Sequence, residues 1–175
     1  MIDQHMQHVS RLGRHPSRWR LQATPVLTVM LGSMLTMLPI VAQSPILPPL
    51  GLLILLSWAL LRPELWRAWI GVPLGLFDDL MSGQPLGSAM FLWTVTLICI
   101  DAAEQRLLWR DYWQDWLIAA LAIIVCLTGG LFFARITGGG AINWMLVVPQ
   151  IGWTILLFPF VARQCAWIDR WRVMA

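Results

Sequence analysis

The chain has 175 residues, of which 58% are apolar and 12% charged, with a mean hydropathy of +0.69. An ordinary soluble domain carries about 45–50% apolar and about 25% charged residues, so a water-soluble globule of this size has no room for so much apolar surface, and a bilayer is its expected solvent. The formal charge of +3 comes from 12 basic residues, all arginine, against 9 acidic ones, too few and too scattered for a nucleic-acid groove.

Residues 1–20 carry Arg11, Arg14, Arg18 and Arg20 and read as a basic cytoplasmic tail. The apolar stretch that follows is too long for the h-region of a signal peptide, and no convincing small-x-small cleavage site succeeds it, so the first span is expected to remain uncleaved. Between Arg20 and Arg62 lie 41 residues without an ionisable group. As one helix they would measure roughly 60 Å, about twice the ~30 Å of hydrocarbon, so the run must fold back. Gln43, Ser44, Pro45, Pro48 and Pro49 mark the bend, because prolines remove donors and disfavour helix in the residue before them. Span 1 is expected over 22–42 and span 2 over 47–61.

A third apolar stretch starts at Ala68 and meets Asp78 and Asp79, followed by the breakers Ser82, Gly83, Gln84 and Pro85. A fourth runs from Leu86 to Ile100. The 19 uncharged residues from Trp116 to Ala134 and the 27 from Ile136 to Ala162 make spans 5 and 6, and 163–175 is expected as a cytoplasmic tail. The expected fold is an all-α integral membrane protein whose single membrane domain, 21–162, holds six transmembrane helices with a short broken hairpin between spans 3 and 4.

Six spans place both termini on one side. Eleven of the 12 arginines then fall in the inner segments and only Arg135 in an outer loop, so the positive-inside rule puts both ends in the cytoplasm. Nine of the 12 tryptophans, Trp58 among them, fall at inner edges, where the amphipathic indole settles at headgroup level. Trp144 falls at an outer edge, and Trp93 and Trp153 within spans.

Cys99, Cys126 and Cys165 lack metal-ligand spacing and are expected to be reduced packing residues. His5, His8 and His15 lie in the polar tail and carry no site. No phosphate loop, nucleophile elbow, zincin helix or paired CxxC occurs, so the reading is non-enzymatic, with no cofactor, no metal and no nucleic acid expected.

The exception to this plainness is Asp78-Asp79. Counted from Arg67, Asp79 lies roughly 18 Å along a helix, past the midplane, where a carboxylate is costly and defaults to a functional reading. Adjacent helical residues point about 100° apart, so one carboxylate is expected to face protein and the other an aqueous vestibule; alternatively the pair is solvated or caps the next helix near Pro85. The two hairpin arms, 14 and 15 residues, are both short of a full crossing. Gly71 and Gly75 have the spacing that lets helices approach closely, as an internal seam or toward a partner, and Gly83 and Gly87 repeat it across the break. In residues 104–116, Trp109, Trp113 and Trp116 share a helical face and are expected to anchor an interfacial connector. Gly138, Gly139 and Gly140 read as a flexible outer turn.

With these residues placed, the chain resembles the MreD family of rod-shape-determining membrane proteins. The resemblance is densest from Pro48 to Trp116. It rests on the apolar run Leu52 to Leu61 ending in Arg62-Pro63, and on Gly75, Asp79-Leu80, Ser82-Gly83 and Leu86-Gly87, which look like the family's G-x3-D-L-x-S-G-x2-L-G element. Asp78 stands where that element is expected to carry an apolar residue, and the register favours Asp79 as the family's carboxylate. The resemblance implies a scaffold of the cell-elongation machinery that binds MreC directly and reaches MreB, RodZ, RodA and a class B penicillin-binding transpeptidase within the complex. It also implies a bundle similar to the S-components of vitamin transporters, which leaves open a substrate-binding subunit with Asp79 and Trp93 lining an outward pocket. The expected partner-binding or conformational residues are Gly71, Gly75, Asp78, Asp79, Ser82, Gly83, Pro85 and Gly87.

Overall fold

A computed structural model describes residues 18–35, 48–63, 67–106, 111–138 and 144–174. Among them no strand occurs, and six α-helices follow one another: α1 (Arg18–Met34), α2 (Leu50–Leu61), α3 (Gly71–Ser82), α4 (Ser88–Arg106), α5 (Tyr112–Gly138) and α6 (Trp144–Met174). A 3-10 turn, Ala68–Ile70, leads into α3. The histidines, the Gln43-Ser44-Pro45 bend, Trp66, Trp109 and the Gly139-Gly140 pair lie outside the described residues.

The bundle is organised by α2. Its sequence, Leu-Gly-Leu-Leu-Ile-Leu-Leu-Ser-Trp-Ala-Leu-Leu, is apolar around the whole circumference, and a helix of that kind belongs inside. Pro49 starts it, its carbonyl accepting from Leu53 N at 3.1 Å. Arg62 ends it, held out of helical geometry (φ −141°, ψ 71°) ahead of Pro63. Nine of its twelve residues are buried, and it packs against α1, α4, α5 and α6. Trp58 is fully buried rather than interfacial, because its indole N–H reaches Thr28 Oγ1 on α1 at 3.0 Å and so leaves no polar atom unpaired. Thr28 in turn donates to the Pro25 carbonyl at 2.8 Å. Trp93 is also in the core, whereas Trp153 is largely exposed.

Three expected boundaries move. Helix α4 has 19 residues, so only the 12-residue α3, about 18 Å long, is a short hairpin arm. Asp101, Ala102, Ala103, Glu104 and Gln105 are tolerable or good helix formers; charge ends burial there without ending the helix. Of the expected connector 104–116, residues 104–106 close α4 and 112–116 open α5, while 107–110, with Trp109, lie outside the described residues. Ile136 belongs to α5, which runs to Gly138, and α6 begins at Trp144 and continues as helix past Arg163 to Met174. Both α5 and α6 are long and apolar enough to cross a membrane.

Candidate functional site

The hairpin of α3 and α4 turns at residues 83–87. Gly83 closes α3 in the left-handed region (φ 67°), as a helix C-terminus commonly requires, and Gly87 opens the approach to α4 with φ 96°. Neither has any atom within 4 Å of an added Cβ, so their role is conformational rather than one of close packing. Between them Pro85 accepts from Ser88 N at 3.1 Å, and the Gly87 carbonyl accepts from Phe91 N at 3.0 Å as α4 begins.

Asp79, 1% exposed, reaches from α3 to the start of α4. Its Oδ2 accepts from Gly87 N at 2.8 Å and Met90 N at 3.3 Å, and its Oδ1 from Ala89 N at 2.9 Å and Ser88 Oγ at 3.0 Å. Amides at a helix start have no intrahelical acceptor and carry a partial positive charge, so a buried carboxylate there is hydrogen-bonded and electrostatically matched at once. This cap is supplied across the hairpin by another helix, nine residues upstream of Ser88.

Asp78 points elsewhere. Its Oδ1 accepts from Ser33 Oγ on α1 at 2.6 Å, and its backbone carbonyl accepts from Ser82 Oγ at 2.7 Å. Ser33 and Asp78 meet above Gly51 of α2, where an added Cβ would collide with Ser33 Oγ and lie 3.0 Å from Asp78 Oδ1. The expected division between a protein-facing and a vestibule-facing carboxylate is therefore corrected. Both are buried, at 8% and 1% exposure, because the 100° between them is used to address two different helices.

Gly71 and Gly75 form the seam between the hairpin arms. A Cβ at Gly75 would stand 2.5 Å from Met90 Cα, and one at Gly71 2.9 Å from Thr94 Cα, so backbone meets backbone along α3 and α4. The face of α3 opposite this seam exposes Val72, Leu76 and Leu80, continued by Leu86 in the turn. At the other end of the bundle, Trp113 is 70% exposed and Trp116 half-buried against the core, their rings edge to face at 6.3 Å.

Several participants were not anticipated. Ser33 and Gly51 look like ordinary small residues of apolar spans, and only the fold brings them to Asp78. Ser88 follows Gly87 directly, and a Ser after a breaker cluster is a recognisable helix-start signal. Arg62 and Asp169 pair across 107 residues, with Arg62 Nη2 3.0 Å and Nε 3.1 Å from Asp169 Oδ2. Cys126 and Cys165 are buried as expected, the former 3.3 Å from Thr96 Oγ1, while Cys99 is exposed. No group of three His, Cys, Asp or Glu side chains suited to a metal occurs among the described residues.

The arrangement is one of internal closure: both carboxylates are committed to neighbouring helices, and Trp93 is packed in the core. Nothing in this geometry supports a ligand pocket between Asp79 and Trp93. The family model described as rod shape-determining protein MreD matches residues 18–166, which include the whole hairpin. No curated protein and no solved structure matches the chain.

Proposed function

The chain belongs to the MreD family of rod shape-determining membrane proteins, and from that premise we propose that it is a non-enzymatic scaffold subunit of the bacterial cell-elongation machinery, binding MreC in the inner membrane. Through MreC it reaches MreB, RodZ, RodA and a class B penicillin-binding transpeptidase. All six helices span or enter the bilayer, with both termini cytoplasmic. The 11-to-1 distribution of arginines supports this orientation. The exposed apolar side chains of α5 and α6, such as Leu121, Phe132, Val148, Leu156 and Phe160, suit contact with lipid.

The observation that carries the scaffold reading is the internally satisfied hairpin. Asp79 and Asp78 are spent on α4 and α1, and Gly71 and Gly75 on close backbone approach. A pair of carboxylates turned toward neighbouring helices supports a role in holding shape. In this reading Gly71, Gly75, Asp78, Asp79, Ser82, Gly83, Pro85 and Gly87 act conformationally, holding the hairpin in the form that MreC meets. Trp113 and Trp116 anchor the start of α5 at the inner headgroups.

Co-purification from native membranes tests it. The wild-type chain is expected to retain MreC in mild detergent, and Gly75→Leu and Asp79→Ala to lose most of it while still inserting in the membrane. Full MreC retention and normal rod shape in both variants would refute the assignment.

A further inference from the structure

Helix α6 has 31 residues, roughly 46 Å, so it is longer than the ~30 Å of hydrocarbon. The Arg62–Asp169 pair, at 3.0 Å, sets its last part beside the end of α2. Phe158, Cys165 and Asp169 are buried and mark the face of α6 that is turned to the bundle. On the opposite face Leu156, Phe160, Arg163, Trp167 and Arg170 follow one another at intervals of four, three, four and three residues, and all five are exposed. The column is apolar at Leu156 and Phe160, then alternates guanidinium, indole and guanidinium. Trp171 lies against Trp167, with ring centroids 5.5 Å apart.

We propose that this column binds one anionic phospholipid of the inner leaflet, its phosphate between Arg163 and Arg170, its glycerol end against Trp167 and its acyl chains along Phe160 and Leu156. The inference rests on the reading above that this end of the bundle faces the cytoplasm. Charge selects the occupant. Among the described residues neither Arg163 nor Arg170 makes an ion pair. The one carboxylate of α6, Asp169, is on the other face and is held by Arg62, while Glu104 and Asp115, which share a hollow with Arg163, have interactions of their own. Two guanidiniums without a counter-ion at the edge of the hydrocarbon attract a headgroup of net negative charge more than a zwitterion, whose ammonium they repel. Their planar forks match phosphate oxygens. About two helical turns, ~10 Å, separate the two arginines along the axis, a gap that two long side chains close from either end. Trp167 between them places an amphipathic ring at headgroup level. Cation, indole and apolar side chain thus succeed one another in the order of a lipid's own head, glycerol and chain.

Native mass spectrometry of the full-length protein, released from membranes with equal amounts of phosphatidylglycerol and phosphatidylethanolamine, tests the proposal. One phosphatidylglycerol is expected to remain per chain, favoured about tenfold over phosphatidylethanolamine, or ~1.4 kcal/mol. Arg163→Gln with Arg170→Gln should abolish that preference, and Arg163→Lys with Arg170→Lys should keep part of it, since charge survives without the fork. Arg135→Gln, at the exposed outer end of α5, should leave it intact. Thermal stabilisation of the unmutated protein by added phosphatidylglycerol, absent with phosphatidylethanolamine and lost in about 1 M salt, gives a readout independent of how the variants fold. Equal retention of both lipids by the wild type, an undiminished preference in the double Gln variant, or capture of MreC in place of lipid by a photoreactive residue substituted for Trp167 would overturn it. Alkaline extraction and MreC co-purification on the same membranes separate the two readings. Failure there refutes the membrane scaffold, whereas an integral, MreC-binding protein without headgroup preference refutes the lipid site alone.

Discussion

The Oδ1 of Asp79 stands 2.9 Å from the backbone nitrogen of Ala89, so a carboxylate of one hairpin arm caps the helix of the other. The contact ties the position of α3 to the initiation of α4, and its loss exposes several amides at once. Asp79→Ala is expected to destabilise the protein by about 3 kcal/mol, since hydrogen bonds to charged groups contribute ~1.5–3 kcal/mol each and orphaned donors add a desolvation cost. Asp79→Asn, which keeps one acceptor oxygen, should lose less. Thermal unfolding in detergent would check both, and an alanine variant with an unchanged midpoint would contradict the cap.

Glycines in this chain differ sharply in what they tolerate. Gly75→Ala sets a methyl 2.5 Å from Met90 Cα and is expected to cost about 1–3 kcal/mol through strain and separation of the arms. Gly83→Ala meets no neighbour but must adopt φ 67°, at about 1 kcal/mol. Gly152→Ala has neither problem and should be neutral or stabilising by up to about 1 kcal/mol, alanine being the better helix former. The ranking of the three midpoints is the measurement.

At the junction of α1, α2 and α3, Gly51→Ala forces its methyl onto Ser33 Oγ. Ser33→Ala removes that atom, at the cost of the 2.6 Å hydrogen bond to Asp78. The double variant should therefore be more stable than the sum of the single losses, by about 1 kcal/mol or more, as expected of residues in direct contact. Strict additivity in a double-mutant cycle would show that the three helices do not meet there.

Arg62 and Asp169 offer a second cycle. Asp169 is buried and Arg62 is 44% exposed, so solvent screens the pair and a coupling of about 1 kcal/mol is expected rather than the larger values of fully buried pairs. Arg62→Gln should destabilise more in the parent than in Asp169→Asn, because only in the parent does it remove the charged partner of a buried carboxylate. Equal effects in both backgrounds would mean the pair is not coupled.

Topology is testable by labelling in a background in which the exposed Cys99 has been replaced. Gln84→Cys, at the exposed hairpin turn, should react with an impermeant thiol reagent from the periplasmic side, and Arg67→Cys only after the inner face is opened. The reverse pattern would invert the proposed orientation.

What the sequence determined by itself is local. Long charge-free runs, proline and glycine punctuation and the distribution of arginines specify helices, turns and an expected orientation, because propensity, backbone sterics and membrane insertion act residue by residue. The Asp79 motif and the glycine pair were visible as anomalies in apolar segments. Their partners were not: Ser33 lies 45 residues from Asp78, and Asp169 lies 107 from Arg62. Nor could hydropathy say that Trp58 is fully buried while Trp153 is exposed. Only the tertiary structure decided these, because among helices surrounded by lipid apolar surface chooses no partner. The choice falls to close backbone approach at positions such as Gly51 and Gly75, and to the few polar groups that must find one another away from water.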